Sequence, residues 1–143
     1  MKVGYIEYFN SFPFWNDAKT HPIEGTQNIA STPAKLNQMI HNGELDLSAI
    51  SAFEYLSHQN EYSLLPDLCI NSNGHVRSVL LFSKVEISQL SNSTIHLSNE
   101  SATSVNLLKI ILAEKNITNN EFKTINPTHN LKECQSILLI GDQ

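Results

Sequence analysis

Three short stretches bring small polar residues to points where an apolar strand pattern gives way to a helical one. They are Asn10-Ser11, Ser51 and Ser101-Ala102-Thr103-Ser104. In open α/β sheets ligands lie in the crevice at the carboxyl ends of strands. Helix N-termini at such points offer backbone N–H groups and the positive end of the helix dipole. Supplemented by hydroxyls, they can hold a carboxylate without a salt bridge. Helix capping alone produces the same residue types at the same places, so the three junctions are candidates for binding a small anion. Other chemistry finds no anchor, because the sequence has no Walker A loop, GxGxxG, HExxH or GxSxG motif. The six histidines are scattered in polar surroundings and read as surface or loop residues rather than ligands. Asp46 and Glu54 could be an acid and a base, or simple capping and rim groups. Cys69 and Cys134 lie far apart with no CxxC pairing, so they read as small buried hydrophobes, with no disulfide framework or zinc set.

The elements that must position these residues follow from periodicity. Residues 1–8 alternate apolar and polar as a strand does, and Pro13 near the first turn opens a helix behind Asn10-Ser11. The polar stretch from Asp17 to Asn28, with Pro22 and Gly25, reads as a loop. Thr32-Pro33 starts a helix that Asn42-Gly43 ends. A short strand, Leu45 to Ile50, runs into Ser51, and Ser51 with Glu54 forms a capping-box pattern for a helix over Ala52 to His58. Tyr62 to Ile70 reads as an extended stretch broken at Pro66-Asp67, and Asn71-Ser72-Asn73-Gly74 as a turn and domain boundary. Beyond it come a strand from Val76 to Val85, a helical turn at Ile87 to Leu90, a strand at Thr94 to Leu97 and a helix over Ala102 to Lys115. That helix has its apolar residues at helical spacing. Strands at Phe122 to Ile125 and Ser136 to Ile140 complete the pattern. Alternation of strands and helices predicts an α/β protein with a largely parallel sheet.

Composition narrows the partners. The 143 residues are 41% hydrophobic and carry a formal net charge of -5, which excludes wholesale disorder. Arg77 is the single arginine, so a nucleic-acid partner, which needs a basic patch, is not expected. No apolar run is long enough to span a membrane. With Glu7 and Asn10 breaking the first apolar stretch there is no secretory signal, and a cytoplasmic location is the expectation.

Ordered blocks then become specific. Tyr8-Phe9-Asn10-Ser11-Phe12-Pro13-Phe14, the stretch from Gly43 to Tyr55, Leu64-Leu65-Pro66-Asp67-Leu68, the stretch from Gly74 to Lys84, and Glu100 to Lys109 resemble the N-terminal half of the chorismate dehydratases of the futalosine route to menaquinone. The closing Leu138-Leu139-Ile140-Gly141-Asp142-Gln143 resembles that family's strand and turn. The resemblance implies a two-lobed fold of the periplasmic-binding-protein type II kind, with the active site in a cleft. It implies removal of water from chorismate to give 3-[(1-carboxyvinyl)oxy]benzoate, with neither metal nor organic cofactor. The C3 proton and the C4 hydroxyl leave, and aromatisation drives the step. By position, Asn10 matches the catalytic asparagine and Ser78 the catalytic serine. A neutral amide is not a base, so Asn10 would hydrogen-bond and orient the substrate. Ser78 would do likewise or bridge to the departing hydroxyl, and the proton would pass to the substrate's own enolpyruvyl carboxylate. Ser11, Ser51, Ser101, Ala102, Thr103 and Ser104 would bind the substrate, chiefly its carboxylates. Arg77 falls on the opposite strand face from Ser78 if strand alternation holds there.

Two other readings stand beside this one. The same fold serves non-catalytic carboxylate-binding modules. A sister enzyme of the pathway, dihydroxynaphthoate synthase, shares the fold, but its expected histidine near the first junction is replaced by Asn10-Ser11. The resemblance further implies an N-terminal piece of a longer family chain, with a first lobe over residues 1–74 and an incomplete second lobe over 75–143. Uncovered apolar surface would then make the chain poorly soluble or unstable alone, an expectation that a monomeric, cooperative melt would contradict.

Overall fold

A computed structural model describes residues 1–99, 101–125 and 131–140. The closing turn at Gly141-Asp142-Gln143, Glu100 and His129 lie outside the described residues. The chain divides into two compact units, one over Met1–His75 and the other beginning at Val76.

In unit 1, strand β1 (Lys2–Tyr5) is the centre of a three-stranded parallel sheet. It is flanked by β2 (Gln27–Ala30) and β3 (Leu47–Ser48). β2 falls in the stretch expected to be a loop. Its residues have little strand preference of their own, and the pairing of Lys2 to Tyr5 with Gln27 to Ala30 makes them a strand. Helix α1 (Phe12–Thr20) also runs further than expected. The Thr20 hydroxyl donates back to the carbonyl of Asn16, and His21 Nδ1 lies 3.0 Å from Asp17 Oδ1, so polar side chains finish this helix locally. Helix α2 (Pro33–His41) begins at Thr32, whose side chain accepts from the Lys35 N–H, and ends before Gly43 in the left-handed region (φ 71°). Helix α3 (Ala52–Ser57) follows Ser51.

The core of unit 1 is small, with Leu36 and Leu45 closing on β1 at Gly4. A Cβ on Gly4 would come within 2.6 Å of Ser48 Oγ, 2.7 Å of Leu45 and 2.8 Å of Leu36, so only glycine lets α2 and β3 approach this strand so closely. Asp46 braces the same sheet, its backbone N–H bonding the Lys2 carbonyl and its carboxylate accepting the Lys2 N–H at 2.6 Å. No strand forms over residues 62–70. Asp67 adopts φ 63° at the turn, and Leu64, Leu65, Leu68 and Ile70 are exposed. Cys69 is exposed too, contrary to its expected burial, while Cys134 is buried.

Unit 2 is built on a four-stranded sheet in the order β4-β7-β5-β6, from β4 (Val79–Ser83), β5 (Thr94–Ser98), β6 (Glu121–Ile125) and β7 (Ser136–Ile140). β5 pairs in parallel with β6 and β7, whereas β4 runs antiparallel to β7, so this sheet is mixed. Helix α4 (Ala102–Glu114) buries Leu108 and Leu112 against Leu90, Ile95, Leu97 and Leu138. β7 carries five residues, four of them buried, as a strand covered on both faces must. Together the units make the α/β class that alternation predicted. Among the described residues no helix is long and apolar enough to cross a membrane.

Candidate functional site

Each unit carries its own set of polar junction residues. In unit 1 the path from β1 to α1 passes through a 3-10 turn at Phe9–Ser11. The Ser11 N–H bonds the Tyr8 carbonyl at 2.9 Å, the Phe12 N–H bonds the Phe9 carbonyl, and Pro13 has no N–H to give. The first junction therefore does not present the bare helix N-terminus that its residue types suggested. It presents a side chain. Asn10 is exposed, and its Oδ1 faces the hydroxyl of Ser11 at 3.4 Å. Ser11 is 3% exposed and does not cap α1, so its hydroxyl is placed to steady Asn10 from below.

The second junction is tightly built. Ser51 caps α3, its Oγ accepting from the Glu54 N–H at 3.2 Å. Asn37, on α2 and 5% exposed, grips Ser51 twice. Its Oδ1 accepts the Ser51 N–H at 3.1 Å, and its Nδ2 donates to Ser51 Oγ at 2.9 Å. A serine hydroxyl has two acceptor positions and one proton. Both acceptor positions of Ser51 are filled by N–H donors, which leaves the O–H to donate outward. Such a hydroxyl suits an anionic oxygen. Asn37 belongs to this junction and was invisible as such in the sequence, because it sits 14 residues from Ser51 with no spacing rule to link them.

In unit 2, Ser78 is exposed and stands one residue before β4, not inside it. The expected strand from Val76 starts only at Val79, so the alternation argument that turned Arg77 away from Ser78 does not apply. The third junction is the start of α4. Ser101 caps it, accepting from the Ser104 N–H at 3.3 Å, and the two hydroxyls lie 3.1 Å apart. Residues 101–104 are all half-buried. Helix geometry leaves the Ala102 N–H without an intrahelical acceptor, so this turn brings that backbone donor together with the hydroxyls of Ser101, Thr103 and Ser104.

The remaining titratable candidates have other partners. Asp46 is occupied with the Lys2 backbone. Glu54 completes only half of its capping box, since its carboxylate turns to Tyr62 and accepts the phenol hydroxyl at 2.7 Å. Burial and the neighbouring Glu54 carboxylate, with Glu61 beyond it, push the Tyr62 phenol far above its ordinary range. Two histidines expected to be unrelated meet here. His41 at the end of α2 and His58 just beyond α3 have ring centroids 4.3 Å apart, and each offers a nitrogen to the Glu54 carboxylate cluster. Among the described residues this is the group of side chains suited to a metal ion.

An α/β protein of two units with hydroxyl-lined strand-to-helix junctions is the class these features define. The crystal structure of protein AF1704 from Archaeoglobus fulgidus shares its fold, with a TM-score of 0.72 and 18% identity, covering 98% of this chain and 53% of that one. The sequence matches the menaquinone biosynthesis family over residues 1–143, and the chain belongs to that family. It is 37% identical over 141 residues to the chorismate dehydratase of Thermus thermophilus, covering 99% of this chain and 50% of that protein. The chain thus spans about half the length of the curated relative it matches.

Proposed function

We propose that this chain contributes to a chorismate dehydratase, a hydro-lyase that eliminates water from chorismate to give 3-[(1-carboxyvinyl)oxy]benzoate. Its likeness over nearly its whole length to an enzyme of that name carries the reading. The fold we infer is the two-lobed periplasmic-binding-protein type II kind, with lobes over residues 1–74 and 75–143. A cytoplasmic location goes with it.

Unit 1 supplies Asn10, steadied by Ser11, and the outward-donating Ser51 hydroxyl. Unit 2 supplies Ser78 and the Ser101–Ser104 turn. Chorismate carries two carboxylates, and donors of the Ser51 and α4 kind are what such a substrate needs in a chain poor in arginine. Asn10 can donate and accept but cannot take a proton at neutral pH, so its role is to hold the substrate in a reactive pose. The C3 proton goes to the substrate's own enolpyruvyl carboxylate, and the C4–O bond breaks with its electron pair on oxygen. That proton is passed on to the departing hydroxyl, which Ser78 hydrogen-bonds, so that water leaves. The ring becomes aromatic and the C3–H electron pair becomes part of it. No metal or organic cofactor enters this step.

The test is turnover of chorismate by a protein carrying these residues, either the chain itself or the chain joined to the second half of the Thermus enzyme. Product formation that collapses in Asn10→Ala, with the fold intact, is the expected outcome. Thr103→Val should weaken chorismate binding in calorimetry, and unchanged affinity would favour a plain helix cap. Tight chorismate binding without product would point instead to a non-catalytic carboxylate-binding module.

A further inference from the structure

We propose that His41, Glu54 and His58 form a binding site for one divalent transition-metal ion of the zinc class, which ties the end of α2 to α3. One ligand atom from each of the three residues lies within 4.8 Å of the other two. Zinc bonds to imidazole nitrogen and carboxylate oxygen are about 2.0–2.2 Å long, which places tetrahedral ligand atoms roughly 3.3–3.6 Å from one another. Small side-chain rotations therefore close the set.

Three observations support a cation over a plain hydrogen-bonded cluster. First, His58 Nδ1 is buried and lies 2.9 Å from Glu54 Oε1, yet outside hydrogen-bond alignment with any acceptor. The two atoms meet without a hydrogen bond between them, which leaves the buried nitrogen a lone pair or proton to satisfy by a small rotation. Second, the two imidazoles lie with centroids 4.3 Å apart at 44°, close enough for one ion to take a nitrogen from each. Third, a supporting shell is in place. The Tyr62 hydroxyl orients the Glu54 carboxylate at 2.7 Å, and Glu61 Oε2 stands 3.6 Å from His41 Nδ1, where it can orient the ring or serve as a fourth ligand.

The position gives the ion a consequence. Asn37 on α2 and Ser51 at the head of α3 are already joined by two hydrogen bonds. Glu54 is one turn along α3 from Ser51, and His58 one turn further. A metal there fastens the other end of the same helix pair and holds Ser51 in register. α3 has only six helical residues, too few to be stable without outside contacts. His2Glu is a ligand set that leaves zinc an open position, but nothing in the proposed dehydration passes through it, so the role is positional.

Calorimetric titration of the full chain, free of any polyhistidine tag, with Zn2+ tests the site, and Co2+ supplies a visible ligand-field spectrum. One saturable site per chain with tetrahedral Co2+ bands is expected, lost in His58→Ala and in His41→Ala. Tyr62→Phe should weaken it about tenfold by freeing the Glu54 carboxylate. His21→Ala, at an exposed pair elsewhere in unit 1, and Cys69→Ser should leave it unchanged. Because the alanine variants could disturb folding, ring-nitrogen NMR of the unaltered chain gives a second reading, with the His41 and His58 signals shifting together on saturation. Absence of saturable binding, binding that survives His58→Ala, or ring shifts at other histidines would overturn the proposal.

Discussion

Asn37→Asp separates the architecture of the second junction from its chemistry. Asn37 Oδ1 accepts the Ser51 N–H at 3.1 Å and Nδ2 donates to Ser51 Oγ at 2.9 Å, while the Glu54 N–H takes the other lone pair of that oxygen. Replacing Nδ2 with a carboxylate oxygen keeps the acceptor for Ser51 N–H but removes the donor to Oγ. The Ser51 hydroxyl must then swing round and donate to the new carboxylate, and the outward donor disappears. A hydrogen bond to a charged group contributes about 1.5–3 kcal/mol, so chorismate affinity should fall roughly 10- to 100-fold. The fold should survive, because the new carboxylate receives two hydrogen bonds where it is buried. Asn37→Ala behaves differently, since both bonds go and the Ser51 N–H is left unpaired, at a cost of about 2 kcal/mol and roughly 4–8 °C in melting temperature. Calorimetry with chorismate reads the affinity, and amide hydrogen exchange at Ser51 and Glu54 reads the local structure. A cycle with Ser51→Ala distinguishes loss of the donor from repulsion by the new charge, since only repulsion persists in the Ser51→Ala background. Parental affinity in Asn37→Asp, with the Ser51 amide still protected, would refute the assignment of that hydroxyl as a ligand donor.

Two further outcomes follow from the packing and electrostatics of unit 1. Gly4→Ala drives a methyl group to within 2.6–2.8 Å of Ser48, Leu45 and Leu36, and should destabilise unit 1 by about 1–3 kcal/mol in urea unfolding; an unchanged midpoint would mean that α2 moves aside freely. The Tyr62 phenol is held neutral by burial and by Glu54, so its folded value lies above that of the unfolded chain. Its contribution is complete below pH 10, the ordinary value, and is lost as pH rises past it. An ultraviolet difference titration between the parent chain and Tyr62→Phe should show a phenol that ionises late, and ionisation in the ordinary range would contradict the Glu54 contact.

Much of the architecture was legible because apolar spacing is a strong signal where a face is fully buried. Helix α4 and strand β7 emerged from Leu108, Leu112 and the run from Ile137 to Ile140 almost to the residue. β2 did not, because Gln27-Asn28-Ile29-Ala30 becomes a strand only through its partner β1. The end of α1 was hidden by polar residues whose bonds are local to Thr20 and His21. At the junctions, Ser51 and Ser101 were readable as caps, since a hydroxyl before a helix has a fixed geometric use. What the hydroxyl of Ser51 has left to donate depended on Asn37, which only the packing of α2 against the head of α3 brings near. The same packing gathers His41 with Glu54 and His58. The i,i+4 pair of Glu54 on α3 and His58 just beyond it was visible in principle, but nothing in the spacing of His41 announced it as the third member.

Product formation from chorismate, compared between the parent sequence and Asn10→Ala in a protein carrying these 143 residues joined to the second half of the Thermus enzyme, tests the central claim most directly. The account predicts that the parent forms 3-[(1-carboxyvinyl)oxy]benzoate and that Asn10→Ala binds chorismate but turns it over at least about 100-fold more slowly, the scale of misplacing a substrate in its site. Parental turnover by Asn10→Ala would contradict it.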